Sequence, residues 1–174
     1  QLASIKTNLI VAIATNALAG LSTAQMQAFS PAQIGQMSSQ QIRALSTTQI
    51  AAIATDDLAG VTARQLAAMT TSQVAAFTTE QIAAFKSSQV VAIPTQSMAA
   101  MSTAQISAMT QPQVAYLTNS QMGALTSEQV GAFTTDQIGA LKAAQLASIT
   151  TAALAGFDNA QIESFSAVQV GGLR

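Results

Sequence analysis

The sequence contains no histidine, no cysteine and no tryptophan, and only 7% of its 174 residues are charged. Without histidine and cysteine, the chain lacks the usual general base, the thiolate nucleophile and the side chains that most transition-metal sites require. Disulfide bonds are excluded for the same reason, so cysteine usage leaves the redox compartment open. We therefore expect no catalytic site, no metal site and no cofactor, and predict that the chain is not an enzyme.

The sequence also has no marked excess of positive or negative charge and no long apolar run. The net charge is −1 and the six Lys and Arg residues are scattered, so we expect no surface that binds nucleic acid. The longest apolar run, residues 9–14, is far too short to insert into a membrane. Because 49% of the residues are hydrophobic and so few are charged, the chain is expected to fold.

What the sequence does contain is one octapeptide, repeated without insertion or deletion. Of the 22 positions that are spaced by eight residues from Gln1 to Gln169, 17 hold Gln. The next residue is always a large aliphatic residue or Met, and another large apolar residue follows three positions later, as in Ile34 and Met37. We predict that residues 1–174 form a single continuous octapeptide-repeat array, which is a stretch of a longer array.

Most octads carry the signature of a capping box. A Ser or Thr stands three residues before the Gln, as in Thr78 and Gln81, so that the hydroxyl accepts a backbone N–H and the Gln side chain reaches back to the cap residue. Ser, Thr or Asp fills 15 of the 22 cap positions, and all three prolines fall at the cap or in the first helical turn. The pattern therefore predicts that a new helix begins in every octad.

The repeated Gln has two possible structural roles. Either it completes the capping box of its own helix, or the amides stack into a ladder along the array, each bonded to the next. Single losses are tolerated, since the Gln is replaced by Leu9, Ala17, Asp57, Ser97 and Ala153. We interpret Asp56 as an exposed acid beside Asp57, an acid that replaces the capping Gln, with no metal or catalytic role. The glutamines to which we assign a structural role in the repeat are Gln25, Gln33, Gln41, Gln49, Gln65, Gln73, Gln81, Gln89, Gln105, Gln113, Gln121, Gln129, Gln137, Gln145, Gln161 and Gln169.

The predicted fold is an all-α solenoid or superhelix of about 22 short capped helices, each about six or seven residues long. Such helices are too short to persist alone and must pack on neighbouring repeats. A β-solenoid is the alternative.

The residue just before the second large apolar position is Ala, Gly or Ser in 20 of 22 octads, which predicts close approach of another backbone. The residue directly after the aliphatic position includes Gln27, Arg43 and Glu163, so we expect it to face water.

Three segments carry a resemblance to a known class of protein. The strings at 46–53, 78–85 and 126–133, such as Thr-Thr-Glu-Gln-Ile-Ala-Ala-Phe, resemble the octads of giant repetitive bacterial surface proteins of the adhesin-like or haem-utilisation-or-adhesion type. The resemblance implies a non-enzymatic, elongated spacer or stalk at the cell surface or outside the cell. Its partners would be neighbouring repeats of the same array, with lateral self-association between arrays. The alternative is a binding module whose Ser/Thr/Gln face takes a glycan, a polymer or another copy of the array.

Overall fold

A computed structural model describes residues 2–173, so that Gln1, the first member of the repeat series, lies outside the described residues. None of residues 2–173 lies in a β-strand, and the described chain is a succession of short helices. The α-solenoid prediction is therefore confirmed and the β-solenoid alternative is wrong. The 3-10 helices are η1 (Leu2–Ser4), η2 (Thr7–Ala12) and η3 (Thr55–Gly60), and the α-helices are α1 (Thr15–Ala19), α2 (Thr23–Met26), α3 (Pro31–Gln36), α4 (Ser39–Ala44), α5 (Thr47–Ala51), α6 (Ala63–Ala68), α7 (Thr71–Ala75), α8 (Thr79–Ala84), α9 (Ser87–Val90), α10 (Thr95–Met98), α11 (Thr103–Ser107), α12 (Gln111–Tyr116), α13 (Asn119–Gly123), α14 (Ser127–Gly131), α15 (Thr135–Ala140), α16 (Ala143–Ala147), α17 (Thr151–Leu154), α18 (Asn159–Glu163) and α19 (Ala167–Gly171).

The α-helices are four to six residues long, which is shorter than the predicted six or seven. The reason lies at the corners between octads. Leu45, which ends α4, has ψ 139°, and Ser46, which caps α5, has ψ 163°, so both residues are extended. Because an N-cap residue must leave the helical region for its side chain to reach the first turn, two residues of the eight form the corner and at most six remain helical.

The helices stack with a fixed sequence offset. The helices that pack most extensively on each other lie three octads apart, such as α4 with α6, α9 with α12, and α12 with α15. The glutamine side chains reach farther back, to backbone carbonyls 28 to 31 residues earlier in the chain. One turn of the solenoid therefore takes between three and four octads. We call each such turn a coil.

The core of the solenoid is built from the two large apolar positions of each octad. The residue after the Gln position is at most 1% exposed from Ile10 to Leu146, and the second apolar residue of the octad is at most 5% exposed from Phe29 to Ile149. Phe77 and Phe85, in consecutive octads, contact each other edge to face with ring centroids 4.9 Å apart. Each such side chain contributes about 1.5–3 kcal/mol when it is fully buried, so the apolar core supplies most of the drive to stack.

The small residues of the helix permit close backbone approach, as predicted. A Cβ atom added at Gly60 would lie 1.9 Å from the carbonyl oxygen of Pro31 in the preceding coil. The position directly after the aliphatic residue does not always face water, however. A Cβ at Gly131 would lie 2.6 Å from the carbonyl oxygen of Gly156 in the following coil, so the expectation of a solvent-facing residue is wrong there.

Candidate functional site

The repeated glutamines act first as helix caps. Each of the 16 glutamines from Gln25 to Gln169 accepts a hydrogen bond at Oε1 from the backbone N–H of its N-cap residue. In most octads the N-cap Ser, Thr or Asp also accepts the N–H of the Gln, which completes the capping box. At Lys86 and Lys142 the cap side chain makes no such bond, and only the glutamine half is present. The capping prediction is confirmed.

The amide nitrogen of the same glutamines binds the preceding coil. Gln113 illustrates the arrangement, since its Oε1 accepts the Thr110 N–H at 2.7 Å while its Nε2 donates to the carbonyl oxygens of Ile82 and Phe85, each at 2.7 Å. A primary amide has one acceptor oxygen and two N–H donors, so this side chain satisfies all of its principal hydrogen bonds inside the protein. It is 1% exposed.

This arrangement repeats along the array. All 15 glutamines from Gln33 to Gln169 donate from Nε2 to the carbonyl 28 residues earlier, at 2.5–2.9 Å. Most also donate to the carbonyl 31 residues earlier, and all 15 are at most 6% exposed. We call this row of buried amides and backbone carbonyls the glutamine seam. The alternative of an amide ladder is wrong for the described residues, because the acceptors are backbone carbonyls and not other amides.

Sequence reasoning missed the donor half of the seam, although the residue choice signals it. A capping box accepts Glu as well as Gln at this helical position, and Glu also suits the positive end of the helix dipole. Yet not one of the 22 repeat positions holds Glu. The choice of Gln at 17 of the 22 positions, with Glu at none, indicates that the NH₂ group is needed, and the structure shows its acceptors.

The seam is interrupted at Asp57, Ser97 and Ala153, and one interruption has a clear chemical cause. Ser97 is completely buried, and within the described chain its hydroxyl makes no hydrogen bond. The N-cap residue of this octad is Pro94, which has no N–H to donate. A glutamine at position 97 would therefore bury its Oε1 without a donor, at a cost of about 1–3 kcal/mol.

This interpretation predicts coupling between positions 94 and 97. The double substitution Pro94→Thr and Ser97→Gln should be more stable than the sum of the two single changes by about 1–2 kcal/mol. The reason is that threonine at position 94 supplies the backbone N–H that the introduced amide oxygen at position 97 needs. The free energies of urea unfolding of the parent, the two single variants and the double variant measure this coupling. Strict additivity would show that the missing N–H at Pro94 does not decide the residue at position 97.

The ionisable groups near the seam are few. Burial, and next the adjacent Asp56, raise the pKa of Asp57 above its ordinary value. The pKa of Glu80 is lowered, chiefly by a hydrogen bond to its own backbone N–H and also by the hydroxyls of Thr78 and Thr79. Among residues 2–173, no three acidic side chains come together in a way that could hold a metal ion.

An open cleft of about 430 Å³ lies between two coils. Its wall includes Gln36, Ser38 and Ser39 from one coil and Thr62 and Arg64 from the next. The hydroxyls of Ser38 and Thr62 already accept the N–H groups of the seam glutamines three residues later, so both serve as helix caps. The residues of this wall include no pair of a nucleophile and a base.

In the stretch from residue 2 to 173, no helix combines the length and the apolar character needed to cross a membrane.

Comparison with known proteins agrees with the repeat architecture. No match is found among curated proteins. A family model described as the ALTTAQ repeat matches residues 26–55, 50–87, 90–127 and 117–143, which together make up more than half of the chain. The matched segments contain most of the caps and seam glutamines described above. The chain therefore belongs to the ALTTAQ repeat family.

Proposed function

We propose that this chain is a structural spacer, a stalk segment of a large bacterial cell-surface protein, and that it is not an enzyme. The observation that carries the proposal is the glutamine seam, which joins coil after coil to the preceding one by the same bonds at the same sequence offset. Such an array has no internal limit on its length, because each coil contacts only its neighbours. We call the contact between a helix and the helix three octads before it a joint. Repeating the same joint extends a protein but does not assemble a catalytic site.

The surface chemistry supports a passive role. The net charge is −1, so the solenoid offers no electrostatic attraction for nucleic acid. The seam glutamines have their polar groups satisfied inside the fold, so they are not free to bind a ligand. Resemblance to adhesin-like surface proteins supports a location at the cell surface, with further repeats of the same array as partners and with lateral association between arrays.

A pair of internal deletions tests the spacer role. Removing residues 103–126 takes out three whole octads and keeps the repeat in register, so we expect a shorter solenoid with an unchanged helical signal per residue. Removing residues 103–122 breaks the octad register, so we expect a marked loss of helicity and stability. Small-angle X-ray scattering and far-UV circular dichroism on the two variants and the parent check both results. A parent radius of gyration near the value of about 16 Å expected for a compact domain of this size would contradict a rod.

A second function rests on the exposed start of each helix. The cap hydroxyls are engaged, but residues at the first helical positions, such as Thr47, Ser72 and Thr103, are exposed. We propose as the alternative that this row of hydroxyls binds a glycan or another polymer. Replacing the exposed hydroxyl residues by Ala, with the caps and core kept, should abolish saturable glycan binding in that case and should leave a pure spacer unchanged.

A further inference from the structure

The joint at Asp57 differs from the regular joints of the seam. Position 57 is a seam position, and the carbonyl oxygens 28 and 31 residues earlier belong to Phe29 and Met26. An ionised carboxylate has no hydrogen to donate to them, whereas the amide of Gln65, one octad later, donates to both of its carbonyls at 2.7 and 2.8 Å. The cap residue Ala54 also lacks a side-chain acceptor, and the helix that follows, η3, is of the 3-10 type.

The coils nevertheless approach each other closely at this joint. Gly60, in the same helix as Asp57, brings its backbone against the carbonyl group of Pro31 in α3. Asp57 is half-buried, so its side chain has only partial access to water. Where a half-buried carboxyl group faces backbone carbonyl oxygens, it is destabilising when it is ionised, and it becomes a hydrogen-bond donor when it is protonated.

Few charged groups lie on the elements that surround Asp57. Its own helix adds Asp56, and α8, which packs on η3, adds Glu80, whereas α3 has no ionisable side chain. The next cation along the chain, Arg64, lines the cleft between α3 and α6. Of the helices that pack on η3 within the described chain, α8 carries one acidic side chain, Glu80, and neither α3 nor α8 carries a cation. Among these groups, only Asp56 raises the pKa of Asp57.

We propose that the joint between η3 and α3 is an acid-responsive link of the solenoid, in which protonation of Asp57 gives the seam a donor and tightens the contact between the two coils. Whether the link is more stable at low or at high pH follows from the direction of the pKa shift. Because the pKa of Asp57 is raised in the folded state, its contribution to stability is present at low pH and is lost as the pH rises through that folded pKa. The pKa of Glu80 is lowered in the folded state, so its contribution to stability is present at higher pH and is lost as the pH falls through that folded pKa. The inference rests on the fold and is independent of the spacer role.

Hydrogen exchange of the full chain, followed by mass spectrometry from about pH 7.5 to about pH 4, tests the proposal, since this range includes the titration of carboxyl groups. After correction for the intrinsic exchange rate, the amides of residues 29–36 and 54–61 should become better protected as the pH falls. Asp57→Asn places an amide that does not titrate at the joint, so its protection should lose the pH dependence and be higher than that of the parent at about pH 7.5.

Asp136→Asn is the matched control, because Asp136 lies in the first turn of α15, in an octad whose seam glutamine, Gln137, is bonded to the preceding coil. It should keep the pH dependence of the parent at residues 29–36 and 54–61. Protection of these residues that is independent of pH in the parent would overturn the proposal. So would a pH dependence that persists unchanged in Asp57→Asn, because Asp57 would then not be the group that titrates.

Discussion

Replacing Gln113 by Glu is expected to destabilise the array by about 3 kcal/mol or more at neutral pH, because an uncompensated buried charge costs about 3–5 kcal/mol. Glu keeps the oxygen that accepts the Thr110 N–H, but it places a second oxygen where Nε2 now donates to the carbonyls of Ile82 and Phe85. Two hydrogen bonds become repulsive contacts at a position that is 1% exposed. The urea midpoint of the helical signal measures the loss. Part of the loss should be recovered at acidic pH, where the introduced carboxyl is protonated.

The chain provides a control for this change in Gln25. Its Oε1 accepts the Ser22 N–H at 2.8 Å in a complete capping box, but the side chain is exposed, and within residues 2–173 its Nε2 donates to no backbone carbonyl. Gln25→Glu changes the same atoms at a side chain that makes no seam bond within residues 2–173, and a negative charge in the first turn is favourable. We expect no loss of stability. Equal destabilisation by Gln25→Glu and Gln113→Glu would show that capping alone explains the repeated amide.

Sequence reasoning could predict the local half of this structure. A capping box is formed by residues three apart, so the spacing of Ser46 and Gln49 contains all the information that is needed to place the start of α5. The same holds for Pro31 and Pro112, which lie in the first turns of α3 and α12 as their missing N–H requires. The predicted helix length is too long because the corner needs two extended residues, Leu45 and Ser46 being one pair.

The half of the structure that joins distant octads could not be predicted in this way. A perfect eight-residue period shows that all octads are equivalent, but any number of octads per turn is compatible with it. The turn is fixed by bonds such as the one from Gln113 to Phe85, and no residue of the octad reports the offset of 28. Departures from the repeat carry more information. Ser97 follows a cap residue that has no N–H, and Gly60 stands where the backbone of the neighbouring coil leaves no room for a side chain.

The seam also accounts for how such short helices persist. A helix of four to six residues bears nearly the whole cost of nucleation for very few internal hydrogen bonds. Each seam glutamine offsets part of this cost on both sides of a joint. It caps its own helix and satisfies carbonyl groups at the end of a helix in the preceding coil, and each bond contributes about 0.5–1.5 kcal/mol. Local capping and coil-to-coil contact are therefore performed by one side chain, which is why the array can extend by repeating it.

Gly60→Ala is expected to be the second strongly destabilising change, with a loss of about 2–3 kcal/mol, because overpacking that forces a backbone shift costs about 1–3 kcal/mol. The added methyl group would lie 1.9 Å from the oxygen and 2.5 Å from the carbonyl carbon of Pro31. Both atoms belong to the backbone, so no side chain can rotate away, and α3 and η3 must move apart. This shift also opens the core between two coils, which places the loss near the upper end of that range.

Gly139→Ala separates this steric effect from the helix propensity of alanine. Gly139 lies inside α15, and a Cβ atom added there meets nothing within 4 Å. Alanine should therefore stabilise the array at position 139, by up to about 1 kcal/mol, because it restricts the unfolded chain and favours the helix. Gly156→Ala should repeat the loss seen at position 60, since its Cβ would lie 1.9 Å from the carbonyl oxygen of Ser127. Urea midpoints of the three variants decide the matter: if positions 60 and 156 respond like position 139, the close backbone approach at these joints does not limit which residue they accept.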